Sequence, residues 1–168
     1  MVTGPNGSGK TTMLKVICSL LPLSSGRVVF CHDGVDYTGG GILPHVGYAA
    51  PDLFLYDELT AVENLRFFAR VSGTPQLNFE DDLAAFGLDG RGKDLVGSYS
   101  SGMKQRLKYL LALMRRPPLL LLDEPTANLD DEGRTLVDSV IRNHDGITVI
   151  ATNDEDDLKY ADRTIRLG

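Results

Sequence analysis

Thr3 to Thr12 read TGPNGSGKTT, and no other stretch limits the possible folds of this chain as severely. Gly4, Gly9, Lys10 and Thr11 stand at the offsets of G-x-x-x-x-G-K-[ST], in which every fixed position has a physical task. Glycines let a loop turn so tightly that successive backbone N–H groups converge on phosphate oxygens. The helix expected to open at the end of the loop adds its positive end. Lys10 brings a point charge to the β- and γ-phosphates, and the Thr11 hydroxyl is of the type that ligates Mg²⁺. Gly4, Pro5, Asn6, Gly7, Ser8, Gly9, Lys10, Thr11 and Thr12 therefore read as a cradle for a nucleoside triphosphate. A merely flexible Gly/Ser turn would leave the Lys-Thr-Thr sequence at the required offset unexplained. Such a loop should follow a strand, yet only Met1 and Val2 precede Thr3.

The rest of the chain has the periodicity that this loop demands. Val28 to Phe30, Leu119 to Leu122 and Ile147 to Ala151 are short apolar runs that suit strands buried on both faces of a parallel sheet. Helical patterns lie between them. Thr60-Ala-Val-Glu63 is a capping box that opens a helix through about Ala69. Leu107, Leu110, Leu111 and Met114 recur at helical spacing, with Arg115 and Arg116 suited to that helix's C-terminal end. A further helix runs from about Asp131 to His144. The order predicts an α/β domain with an all-helical insertion near 57–97. At 168 residues the chain is long enough for one domain with a buried core.

Composition narrows the function classes. The net charge of −6 argues against a nucleic-acid binder, which usually carries a basic face. The densest apolar run, around 119–122, is strand-sized, not membrane-sized. No secretory signal precedes the domain. Cys18 and Cys31 are too few for a disulfide framework and lack metal-ligand spacing. His32, His45 and His144 read as ordinary surface or loop residues.

A second chemical feature is the acid pair in PPLLLLDEPTANLD. Asp123 and Glu124 end a hydrophobic strand, where an α/β sheet places its ligand. Asp123 is suited to hold hydrated Mg²⁺. Glu124 is then placed to orient or deprotonate an attacking water, a role worth roughly 10²–10⁴ in rate. Two carboxylates merely capping the next helix would not account for the preceding leucines.

Taken together, these stretches resemble the ATP-binding cassette ATPases, the motor subunits of ABC transporters. GPNGSGKTT is similar to their phosphate loop. YSSGMKQR, residues 99–106, is similar to their signature motif, with Ser100, Ser101 and Gly102 in its Ser-Gly-Gly positions. LLLLDEPTANLD is similar to their metal strand and D-loop, with Asp130 as the loop's acid. LYDELTAVENLRFFAR is similar to the stretch that opens their helical subdomain. The resemblance implies a P-loop NTPase core of mainly parallel sheet flanked by helices, residues 1–56 and 98–168, with an inserted all-helical subdomain at 57–97. It implies ATP and Mg²⁺ as ligands and ATP hydrolysis coupled to transport. The implied assembly is a head-to-tail dimer with a second ATPase subunit, each ATP lying between one phosphate loop and the other subunit's signature helix. A separate transmembrane permease is the implied membrane partner, with the ATPase cytoplasmic and peripheral on the inner face of the membrane. No nucleic-acid partner is implied. The compact LTAVENLRFFAR element is also similar to the haem-exporter ATPases of cytochrome c maturation.

Three departures from the family pattern stand out. Pro51 occupies the place of a glutamine that would offer an amide to Mg²⁺ and water; proline has neither a polar side chain nor an N–H. Asn153 occupies the place of the switch histidine. It can donate an amide hydrogen bond to a γ-phosphate but cannot become cationic. A second task for Asn153 is to cap the helix that follows. Finally, the strands and adenine-stacking aromatic that the family carries ahead of its phosphate loop find no counterpart, and Tyr37 lies after the loop. An unpaired sheet edge is expected in consequence.

Two other functions compete. A soluble cassette ATPase acting on ribosomes or nucleic acid would show a second cassette, a long coiled coil before the signature, or zinc cysteines, and the chain has none. A nucleotide-gated module with little catalysis is favoured by Pro51 and Asn153 and opposed by Glu124.

Overall fold

The computed structural model describes residues 1–74, 78–127 and 129–168; residues 75–77 of the expected insertion and Asn128 of the D-loop stretch lie outside the described residues. Leu119 to Asp123 form β5, in which all five residues are buried. Strand geometry turns Leu119 and Leu121 to one face and Leu120 and Leu122 to the other, which is why the leucine run shows no polar alternation. Burying each leucine contributes about 2 kcal/mol.

Around β5 stand β4 (Val46–Ala49), β6 (Ile147–Thr152), β1 (Val2–Thr3) and β7 (Ile165–Arg166), in the order β4-β5-β6-β1-β7. Every pairing in this sheet is parallel. The register sets Ala49 opposite Leu122, Asp123 opposite Ala151 and Thr3 opposite Thr152. Four strands thus finish at one edge, and the loops after them start from a common level. The strand that the phosphate loop requires is Val2–Thr3. It is short but interior to the sheet, with β6 on one side and β7 on the other.

Val28 to Phe30 behave differently from expectation. Val29–His32 form β2, which pairs antiparallel with β3 (Val35–Thr38) in a separate two-stranded sheet. Its exposure alternates, with Val29 and Cys31 outward and Phe30 buried, as befits a strand with one solvated face. The turn is Asp33-Gly34, both at positive φ (51° and 75°), the backbone that a two-residue hairpin needs.

Three helices flank the sheet: α1 (Lys10–Ile17), α4 (Ser101–Leu113) and α5 (Asp131–Arg142). Leu14 and Cys18, on α1 and just past its end, share a core with Val2, Phe30, Ile42, Leu119 and Leu121. Tyr109 and Ala112 of α4 and Val137 of α5 cover the opposite face with Leu120, Leu122 and Ile150. The backbone of α4 approaches β4 so closely that a Cβ at Gly47 would collide with the Ala112 carbonyl oxygen. A residue with a side chain at 47 would push α4 away from the sheet.

Between β4 and α4 lie α2 (Ala61–Ser72) and α3 (Phe79–Ala85). The capping box forms as its chemistry requires. Thr60 Oγ1 accepts from the Glu63 amide at 3.2 Å, and Glu63 accepts from the Thr60 amide at 2.8 Å. Leu65, Leu83, Leu88 and Val96 pack with Leu107 and Leu110 of α4, so that helix serves two cores at once. Asn64, fully buried, fastens the approach to α2 by bonding both the amide and the carbonyl of Tyr56. Among the described residues no helix is long and apolar enough to cross a membrane.

Candidate active site

The loop after β1 rises from the common edge of the sheet. Gly4, Gly7 and Gly9 all have positive φ, at 151°, 83° and 97°. At Gly4 the requirement is also steric: a Cβ there would strike the Leu167 carbonyl oxygen and come within 2.7 Å of Ser8 Oγ. Gly9 precedes α1 in the left-handed region, so the helix opens with its amides facing the loop and without a side-chain cap. Lys10 is 6% exposed, and its ammonium curls back to donate to the carbonyls of Gly4 at 2.9 Å and Pro5 at 3.3 Å.

Thr11, the next residue of α1, meets the strand end opposite. Its hydroxyl donates to Asp123 Oδ2 at 2.6 Å, across 112 residues of sequence. The other carboxylate oxygen, Oδ1, is buried and unpartnered, as is Ser8 Oγ. An orphaned, buried anionic oxygen beside a threonine hydroxyl is the donor set for a small hard cation. No group of three or more His, Cys, Asp or Glu capable of holding a metal occurs among the described residues. An ion here would complete its shell with water and phosphate oxygens, as Mg²⁺ does and a tightly caged ion does not.

Glu124 follows Asp123 in a backbone conformation that few residues with a side chain adopt, at φ 47°. Its amide donates to the Ala151 carbonyl at 2.7 Å, which fixes the turn against β6. That turn swings the carboxylate over the phosphate loop, with Oε1 3.7 Å from Lys10 Nζ. The other oxygen accepts from the Asn153 amide at 3.4 Å and lies 3.5 Å from the Thr152 hydroxyl. Thr152 Oγ1 in turn donates at 2.7 Å to the buried Asp157, which also accepts from Thr126 at 3.0 Å. Glu124 is therefore held by one cation and one amide, at the rim of a buried Thr-Asp-Thr network.

Asn153 sits beside the phosphate loop. Its side-chain amide donates to Asn6 Oδ1 at 2.8 Å. Its expected second task, capping the next helix, falls to Asp154, whose carboxylate accepts from the Asp156 amide at 2.9 Å. The element capped is a 3₁₀ segment, Glu155–Tyr160, whose tighter turn is closed by the carboxylate one residue further on. Thr12 points outward from α1.

Ser100, Ser101 and Gly102 lie at the start of α4, and no hydrogen bond joins them to the phosphate loop among the described residues. Ser100 caps the helix, its Oγ accepting from the Met103 amide at 3.2 Å. Ser101 and Glu124 line one cavity of about 280 Å³, together with Pro51 and the α4 side chains Lys104, Gln105 and Lys108. Asp130 caps α5 by accepting from the Gly133 amide at 2.8 Å, and Arg106 of α4 pairs with it at 3.2 Å. The Gly133 bond and then Arg106 hold its carboxyl below the usual range. His144 proves more than a loop residue: its ring nitrogens bond the Pro117 carbonyl (2.8 Å) and Thr148 (3.0 Å), tying α5's end to the sheet.

Sequence reasoning passed over Thr152, Asp157, Arg106 and Lys108. Only Lys108 carried a visible signal, a lysine set between Leu107 and Tyr109 in a helix stretch that is buried throughout.

With this geometry established, comparison with known proteins is informative. A family model described as "ABC transporter" matches residues 1–127. The linearmycin resistance ATP-binding protein LnrL of Bacillus subtilis is 33% identical over 156 residues, covering 89% of this chain and 50% of LnrL. The chain thus spans half of that relative's length. The cytochrome c biogenesis ATP-binding export protein CcmA of Mesorhizobium japonicum is 36% identical over 156 residues, 91% of this chain and 77% of CcmA. Among solved structures, the dimeric post-hydrolysis state of the ATP-binding cassette MJ0796 bound to ADP and Pi superposes with a TM-score of 0.81 at 25% identity. That match covers 99% of this chain and 79% of the other.

Proposed function

The chain belongs to the ABC transporter family, and on that premise we propose that it is an ATP-binding and ATP-hydrolysing subunit that energises a membrane transporter. The observation that carries this reading is the meeting of Lys10, Thr11, Asp123 and Glu124 at one sheet edge. Lys10 and the loop amides bind the triphosphate of ATP, with Ser8 Oγ available as a further donor. Thr11 and Asp123 hold Mg²⁺, which neutralises phosphate charge. Glu124 orients the attacking water and accepts its proton. The Asn153 backbone amide and Lys10 hold the Glu124 carboxylate toward the loop. Asn153 stands ready to trade its bond to Asn6 for one to a γ-phosphate.

The distribution of functional groups favours a dimer. The capped N-terminus of α4 faces solvent with Ser100 and Ser101 exposed, and it has an unspent helix dipole to offer a neighbouring copy's ATP. The likeness to a dimeric cassette supports the same arrangement. Residues 57–97 form the helical subdomain in this reading, and it supplies the surface for a separate permease at the cytoplasmic face. Val71 within it and Phe54 just ahead of it are 71% and 67% exposed, and Phe54, Tyr56 and Phe67 form an edge-to-face ladder across its start, with centroids 5.3 and 5.0 Å apart. An exposed aromatic patch of this kind is characteristic of a partner site. Among transport roles, cytochrome c biogenesis export is favoured by the larger share of CcmA that the chain covers.

The test is phosphate release from ATP as a function of protein concentration. Specific activity should rise with concentration, because each site needs two copies, and should vanish when Mg²⁺ is chelated. A protein that releases no phosphate at any concentration with Mg²⁺ present would overturn the proposal.

A further inference from the structure

The loop that leaves β4, Ala50 to Asp52, is gripped by two lysines from different helices. From α1, Lys15 donates to the Asp52 carboxylate at 2.6 Å, a bond that raises the Lys15 pKa. From α4, Lys108 donates to the carbonyls of Ala50 at 3.2 Å and Pro51 at 2.5 Å. Proline offers no N–H and its φ is fixed, so carbonyl oxygens are the handles this stiff loop presents. One turn before Lys108, on the same face of α4, Lys104 donates to Asp57 at 2.8 Å and holds the next stretch of chain.

The two grips differ in kind. Asp52 is exposed and Lys15 only half-buried, and such solvated pairs contribute little to stability. Lys108 is 8% exposed and bonds two neutral carbonyls with no carboxylate among its hydrogen-bond partners. Burial pushes its pKa down. A buried cation without a paired anion is costly, and an apolar side chain of similar length would give a more stable helix. Lys108 and Glu124 line the same cavity. At the far end of β4, Gly47 lets the α4 backbone lie directly on the strand. The helix is therefore fastened to β4 at both ends, and through the Ala50–Asp52 loop to the helix that begins at the phosphate loop.

We propose that Lys108 is a positioning residue for ATP hydrolysis, locking the signature helix α4 to the Ala50–Asp52 loop so that α4, that loop and Glu124 keep a fixed mutual geometry. The inference rests on the ATPase reading above. It concerns rate, because Lys108 touches neither the phosphate loop nor Asp123.

Replacing Lys108 by methionine keeps the unbranched stem and removes only the charge and its bonds. Two readouts separate a positioning role from a structural one. The Leu53 amide bonds the Ala50 carbonyl at 3.1 Å and reports on the loop by hydrogen exchange. The expected result is faster exchange at Leu53 and a kcat lower by roughly ten- to a hundredfold, the scale on which small misplacements act. KM for ATP should stay at its wild-type value and Tm should hold or rise, since an unpaired buried charge is gone, and Lys108→Arg, which can still donate to both carbonyls, should recover part of the rate. An active wild type whose Lys108→Met variant keeps its kcat, or loses kcat and Tm together, overturns the positioning role alone. Unchanged exchange at Leu53 overturns it whatever the activity. A wild type that releases no phosphate overturns the ATPase reading, and this role with it.

Discussion

Replacing Glu124 by glutamine is expected to slow ATP hydrolysis by about 10²–10⁴ while leaving ATP bound. Glutamine has nearly the same shape and can keep accepting from the Asn153 amide through its carbonyl oxygen. What it loses is the ability to take a proton and the attraction to Lys10 across 3.7 Å. Binding should survive, because the phosphate loop, Thr11 and Asp123 are untouched. The variant should therefore retain ATP and persist as a closed dimer at concentrations where the wild type turns over and reopens. Phosphate release at saturating ATP and Mg²⁺, beside equilibrium ATP binding, measures both halves. A variant that hydrolyses ATP as fast as the wild type would remove Glu124 from the reaction.

Replacing Lys10 by methionine should act on binding first. The ammonium is buried within the loop and bonds two of its carbonyls, so it serves the loop's shape as well as the ligand's charge. Hydrogen bonds to charged groups contribute about 1.5–3 kcal/mol. Losing those to the β- and γ-phosphates should weaken ATP binding by roughly one to two orders of magnitude. Titration with a fluorescent ATP analogue gives the Kd directly. Wild-type affinity in this variant would mean that the loop amides alone carry the triphosphate. Because Glu124 also loses its cation, the hydrolysis that remains at saturating ATP should be slower as well.

The parts of the molecule that could be read from sequence are those whose chemistry is local. The phosphate loop needs Gly, Lys and Thr at fixed offsets, and the capping box needs Thr60 and Glu63 three apart; both are visible without tertiary structure. Asp123 and Glu124 were legible because the leucines before them mark a strand buried on both faces. Val28 to Phe30 were assigned to the wrong sheet, because a three-residue apolar run looks alike in a parallel strand and a hairpin. The Asp33-Gly34 dipeptide was the discriminating signal, and its positive φ angles explain why. β7, two residues long, has no period to read. The partners of Lys108, Asp157 and Arg106 were invisible because they are set by how α4 and the segment after β6 pack, across 57, 31 and 24 residues of sequence.

The left-handed backbone at Glu124 sets foldability against function. A side chain at φ 47° is strained by about 1–3 kcal/mol, and glycine at the same place would not be. Glu124→Gly should then raise the melting temperature while abolishing turnover. A laboratory population of this protein selected for heat resistance alone would drift toward glycine at position 124, and its most robust survivors would be folded, nucleotide-bound and inert.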